Sequence, residues 1–190
     1  MQFTTITGLI IRVIPQSDSN KILKIATENG AISAICYNCS KTKSQLVFLN
    51  EPFVFAEFQL KSGKGELLHI NSANLIKNFY NLRLSLEKLE VAAEICRIIE
   101  KTIFENEPFP LSFVLNTFSI LENAIEEKTK IILPLFTLRY LKEIGFHDET
   151  DNEIINFAQN APLNKLYNVE IQSNTLKSLI KYTQTALKKI

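Results

Sequence analysis

The hydrophobic period of this chain changes once, near residue 75, and that change separates two kinds of structure. Before it, apolar and β-branched residues alternate. Thr5, Thr7, Leu9, Ile11 and Val13 interleave with Ile6, Gly8, Ile10, Arg12 and Ile14 in a run that reads as a strand. Residues 21–27 and 31–37 read as two more, joined by Asn29-Gly30, a dipeptide suited to the left-handed angles of a type I′ hairpin turn. Residues 47–60, with Phe53, Phe55 and Phe58, read as a fourth strand. Ser62-Gly63-Lys64-Gly65 then turns the chain into a fifth, over residues 66 to 71. Five short strands in so short a stretch predict a small closed or nearly closed barrel.

After residue 75 the period becomes helical. Leu82, Leu86, Leu89, Ala93, Cys96, Ile99 and Ile103 recur at steps of three and four, which predicts one long helix ended by Pro108 and Pro110. Leu111, Leu115, Phe118, Leu121 and Ile125 repeat the pattern. So do Leu135, Leu138, Leu141 and Ile144, stopped by Gly145 at a C′ position, with Pro134 expected in the first turn. A last helix runs from Thr175 through Leu187. The expected fold class is α+β, a barrel domain over residues 1–78 followed by an all-α domain over 79–190. No Gly-, Pro- or Ser-rich linker divides them.

With 46% apolar and 22% charged residues the chain has the composition of a folded protein. No apolar run approaches the roughly 20 residues of a membrane span, and the first residues lack the pattern of a secretory signal, so the cytoplasm is the expected compartment. The net charge of +1 conceals a polarity. Residues 1–80 carry eight Lys/Arg against five Asp/Glu, and residues 81–190 carry thirteen against fifteen. Phosphate binding requires concentrated positive charge, which places any nucleic-acid contact on the barrel.

Chemistry-bearing motifs are sparse. Cys36 and Cys39 have the CxxC spacing, but neither a second pair nor a histidine pair completes a zinc site; with Cys96 they are expected to be free thiols. His69 and His147 are the only histidines, too few for a metal centre or a catalytic relay without a long-range coincidence. Asp148, Glu149, Asp151 and Glu153 lack the glycine and terminal glutamate of a calcium loop and read as a solvated helix start. Ser62-Gly63-Lys64-Gly65 lacks the spacing of a phosphate loop. No catalytic set emerges, so no enzymatic activity, metal or cofactor is expected.

Collinear segments carry a resemblance. Gly8-Leu9-Ile10-Ile11-Arg12, Ser17-Asp18, Lys21-Ile22-Leu23 and Glu28 through Ala34 are similar to the first three strands of the bacterial RecO family. The similarity continues through Lys41, Lys43, Ser44 and Glu51-Pro52-Phe53, through Phe79, Leu82-Arg83 and Glu87-Lys88-Leu89, and to Phe136, Leu138, Leu141 and Gly145-Phe146. The resemblance implies an OB-fold followed by a helical domain, and a recombinational DNA-repair mediator. Such a protein binds single- and double-stranded DNA, promotes annealing and helps load RecA on DNA coated with single-stranded-DNA-binding protein. Its implied partners are RecR and the C-terminal tail of that coating protein, with the part of RecF left open. Two departures stand out: the family's four-cysteine zinc site after Gly-Tyr/Phe is replaced by His147-Asp148-Glu149-Thr150-Asp151, and the basic loop after strand three reads Tyr37-Asn38-Cys39-Ser40.

On such a barrel, Arg12, Lys21, Lys24, Lys41, Lys43, Lys61 and Lys64 are the expected phosphate contacts and Tyr37 the stacking ring. In the helical domain the implied peptide needs an apolar pocket beside a cation, for which Phe136 with Lys130 and Arg139 are the candidates. The alternative is a degenerate RecO-like docking or scaffold module with weak or no DNA binding.

Overall fold

The computed structural model describes residues 3–62, 67–146 and 152–189, apart from the side chains at 163 and 164. Five strands, β1 (Phe3–Pro15), β2 (Lys21–Thr27), β3 (Gly30–Cys36), β4 (Phe55–Ser62) and β5 (Leu68–Lys77), close into a barrel in the order β1-β2-β3-β5-β4. Every pairing is antiparallel except a short parallel contact that sets Ala34 opposite Leu68 and Ile35 opposite His69. This is the small closed barrel expected from the strand pattern, in the five-stranded OB architecture that the resemblance implies.

β1 is long because it serves two neighbours. Its first half pairs with β4 and its second with β2, and the register shifts between Ile10 and Arg12. The extra residue, Ile11, bends the strand as a bulge does and returns Val13 to the inner side opposite Leu23. Inside lie Ile10, Leu23, Ile25, Ala34, Phe58 and Leu60. A fully buried Phe or Leu stabilises by about 2–3 kcal/mol relative to exposure, so this row closes the barrel without any cross-link.

Two local expectations are corrected. Residues 47–54 are not strand: Val47–Asn50 form a 3₁₀ turn, and β4 begins only at Phe55. Pro52 cannot donate to a ladder, and Phe53 adopts φ +66. Burial and a 2.8 Å hydrogen bond from its N–H to the Ile10 carbonyl hold Phe53 in that unfavourable geometry. The β2–β3 hairpin exists, but its turn is not type I′. Thr27 pairs with Gly30 and Asn29 keeps a negative φ, whereas Gly30 alone takes φ +96.

That glycine also explains why the barrel unit takes in Ile103–Leu111 as well as the residues through Phe79. Gly30 bridges to Glu105, the Ala31 N–H donates to the Phe104 carbonyl at 2.9 Å, and the Phe109 N–H donates to the Glu28 carbonyl at 2.9 Å. A Cβ on Gly30 would stand 2.1 Å from the Phe104 oxygen.

The helical unit, Tyr80–Thr102 with Ser112–Ile190, is built from α1 (Leu86–Thr102), α2 (Leu111–Asn123), α3 (Glu126–Glu143), α4 (Glu153–Asn160), α5 (Leu163–Leu166) and α6 (Ser173–Leu187). The expected first helix is shorter at both ends. A 3₁₀ turn at Tyr80–Leu84 precedes it, Ser85 starts it by accepting the Leu89 N–H, and it stops at Thr102, well before the prolines. Pro134 lies inside α3 rather than in its first turn. A proline there removes one backbone bond, at a cost of about 3 kcal/mol in an isolated helix. Burial of Pro134 within a nearly continuous run of buried residues from Ile131 to Leu141 offsets that loss. Gly145 ends α3 as expected, at φ +83, with the Phe146 N–H donating to Leu141 and the Gly145 N–H to Lys142, the Schellman pattern. Of α4 the sequence reading has only the acidic start, in which Glu153 is the first helical residue, while Asp148, Glu149 and Asp151 lie outside the described residues; α5 has no counterpart there. α4 starts on Asn152, whose side chain accepts the N–H groups of Ile154 and Ile155. Among the described residues no helix is long and apolar enough to cross a membrane.

Candidate nucleic-acid interface

Residues opposite each other on paired strands share a face, so the register defines rows of outward side chains. One row sets Arg12 opposite Lys24 and Lys24 opposite Ser33. The next runs Ile14, Ile22, Ile35 and, across the parallel contact, His69, then Lys61 and Phe3. Tyr37, two residues beyond Ile35, meets His69 edge to face, with ring centroids 5.3 Å apart and planes at 77°. Phe3 and Tyr37 are each 46% exposed. The barrel therefore carries a belt of rings and one cation beside a row holding two more.

Among the described residues the expected contacts fall into three groups. Arg12, Lys24, Lys61 and Tyr37 share this outer surface. Lys21 does not: opposite Pro15 and Cys36, it follows the alternation of Leu23 and Ile25 and sits half-buried on the inner side at the end of the barrel. Lys41 and Lys43 are exposed in the loop after β3. That loop is tied to the β1–β2 connection by the Asn38 N–H donating to Asn20 Oδ1 at 3.0 Å and the Ser40 N–H donating to the Ser19 carbonyl at 3.3 Å. Lys64 lies outside the described residues. Phe3 and His69 escaped the sequence reading because the place of Phe3 opposite Lys61 and the meeting of His69 with Tyr37 depend on long-range pairing, which no local pattern encodes.

The cysteines contribute packing. All three are free and buried. Burial pushes the Cys36 thiol well above its ordinary range, and the neighbouring Cys39 raises it further. Burial does the same to Cys96, with Glu100 adding to it. Protonated thiols of this kind are poor nucleophiles and poor metal ligands. Among the described residues no cluster of three or more His, Cys, Asp or Glu side chains could hold a metal ion.

In the helical unit the three expected partner residues are not brought together. Phe136 is fully buried, stacked between Phe113 at 5.4 Å and Tyr140 at 5.2 Å. Arg139 is engaged within the unit: its Nε donates to Glu143 at 2.6 Å and its Nη1 to the carbonyls of Gln159 at 2.8 Å and Ala161 at 3.2 Å. Lys130 is exposed on α3, and nine residues at about 100° each place it on the side opposite Arg139. A different set forms an apolar cleft beside a cation. Ile120, Ile125, Ile132 and Tyr167, with Lys128, line an opening of about 460 Å³. Lys128 stands three residues after Ile125 and four before Ile132, a spacing visible in the sequence.

Residues 1–79 match the family model described as recombination protein O N terminal. A DNA repair protein RecO of Acetivibrio thermocellus is 30% identical over 149 residues, covering 77% of this chain and 59% of that protein. The RecO of Clostridium perfringens is 31% identical over 147 residues, covering 76% and 59%. That of Caldicellulosiruptor saccharolyticus is 27% identical over 150 residues, covering 77% and 60%. The chain thus spans about three fifths of the length of the relatives it matches. A barrel matched by the family's N-terminal model, continuous with a similarity that reaches into the helices, makes this chain a member of the RecO family.

Proposed function

We propose that the chain is a recombinational DNA-repair mediator without chemistry of its own, working on DNA in the cytoplasm. It binds single- and double-stranded DNA through the barrel, promotes annealing, and helps load RecA on DNA covered by single-stranded-DNA-binding protein, together with RecR and in some settings RecF. The observation that carries this reading is the match of residues 1–79, the barrel portion, to the RecO N-terminal model. The outward Arg12–Lys24 pair beside an exposed ring fits the same reading, because cations on one face attract phosphates whatever the base sequence. The apolar cleft with Lys128 supports docking of a short peptide ending in apolar residues and a carboxylate, such as the tail of the single-strand-coating protein.

Fluorescence anisotropy with single- and double-stranded oligonucleotides at low and moderate salt tests the DNA role, and a pull-down with RecR tests the partner. Binding that weakens steeply with salt is expected. A second reading, a docking module whose DNA role has diminished, is favoured by the loss of basic residues at Tyr37 through Ser40. Peptide binding in the cleft without DNA binding at low salt would select it.

A further inference from the structure

We infer that the belt on the outer barrel surface distinguishes unpaired from paired DNA. In this inference, which rests on the DNA-binding reading above, Phe3 and the Tyr37–His69 pair act as stacking rings on either side of Lys61. The register sets Phe3 opposite Lys61 and Lys61 opposite His69, and Tyr37 packs edge-on against His69 at 5.3 Å. Neighbouring strands lie about 4.8 Å apart, so the two ring positions stand about 10 Å from each other with the ammonium between them. Phe3 and Tyr37 remain about half exposed although both are large and apolar, and the polar row beside them, Thr5, Gln59 and Ser72, leaves their flank open to solvent. The next acid along the outer face of β4 is Glu57, two rows from Lys61, where it accepts a hydrogen bond from Asn74 at 3.2 Å.

These positions fit single-stranded DNA for a chemical reason. Within a duplex both faces of each base are covered by its neighbours, so an exposed ring finds nothing to stack on, while phosphates remain available to lysines in either form. An unpaired strand offers base faces and phosphates alternately, which is the order of ring, cation and ring along this belt. Rings confer the preference; cations confer affinity for both.

The test is anisotropy with a labelled single-stranded oligonucleotide and a hairpin duplex at several salt concentrations, on the full chain and on Phe3→Leu, Tyr37→Leu and His69→Asn. Leucine keeps the apolar bulk and removes the ring, and the thermal transition of each variant reports folding. Each ring substitution is expected to weaken single-strand binding roughly 5- to 150-fold, the range for one stacked base, while leaving duplex binding and the salt slope as they were. Photo-crosslinking of an iodouracil-substituted single strand should attach to peptides containing Phe3, Tyr37 or His69. Equal losses on both DNA forms, or none on either, would overturn the inference while leaving the DNA role intact. A wild-type chain that binds neither form would remove both.

Discussion

Arg12 and Lys24 stand directly opposite each other across β1 and β2, two cations in one outward row of the barrel. Like charges in that relation cost a few tenths of a kcal/mol to the sheet, and a phosphate bound across the row would offset that cost. Replacing either by Ala should weaken binding to any DNA sequence and lower the slope of log K against log salt by about one for each phosphate no longer neutralised. Lys41→Ala with Lys43→Ala should do the same at the loop. Salt titrations of anisotropy measure both, and undiminished affinity in the loop variant at low salt would remove that loop from the interface.

Arg139 should matter for stability rather than for ligand capture. Its guanidinium serves Glu143 and two carbonyls at the end of α4 at once, a fork that lysine cannot reproduce. Arg139→Ala is expected to lower stability by about 2 kcal/mol, as is usual for part-buried charge-assisted bonds, and Arg139→Lys should recover little of it. Urea denaturation followed by circular dichroism decides this.

Gly145 and Gly30, both at positive φ, should respond differently to alanine. At Gly145 nothing lies within 4 Å of the added methyl, so only backbone strain of about 1 kcal/mol is expected. At Gly30 the methyl meets the Phe104 carbonyl oxygen, and the strand-like attachment of residues 103–111 must shift. Gly30→Ala should therefore cost several times more and raise amide exchange at Ala31 and Phe109, whose N–H groups make those bonds.

Alkaline pH should destabilise the helical unit. Burial pushes the Tyr140 phenol up from its usual 10 to about 12, against a smaller opposing effect of its 2.7 Å hydrogen bond with Thr102. The raised value means that the folded state holds the proton more tightly than the unfolded one. Stability is therefore full below pH 10 and declines between about 10 and 12, by about 2–3 kcal/mol for this one group. Burial moves Tyr167, bonded to Thr117 at 2.9 Å, in the same direction. Denaturation midpoints measured from pH 8 to 12 should fall in that window, and Tyr140→Phe should flatten the fall while losing the bond to Thr102.

Local chemistry in the sequence determined much of this protein. Strand alternation marks β2 to the residue, the three- and four-residue steps mark α2 and α6 closely, and Gly145 fixes the end of α3, because each rests on neighbours in the chain. The barrel's cationic bias was likewise legible as a count. Only the tertiary structure decided the rest. Phe53 leaves the strand because Ile10 supplies a partner from another element, and Pro134 stays in mid-helix because burial outweighs one missing bond. Phe136 turns inward between two rings instead of facing a ligand. The belt draws Phe3, Tyr37 and the Lys61–His69 hairpin pair from three parts of the chain, and the register between those parts is set by which side chains fill the barrel, a property of the whole core that no short segment contains.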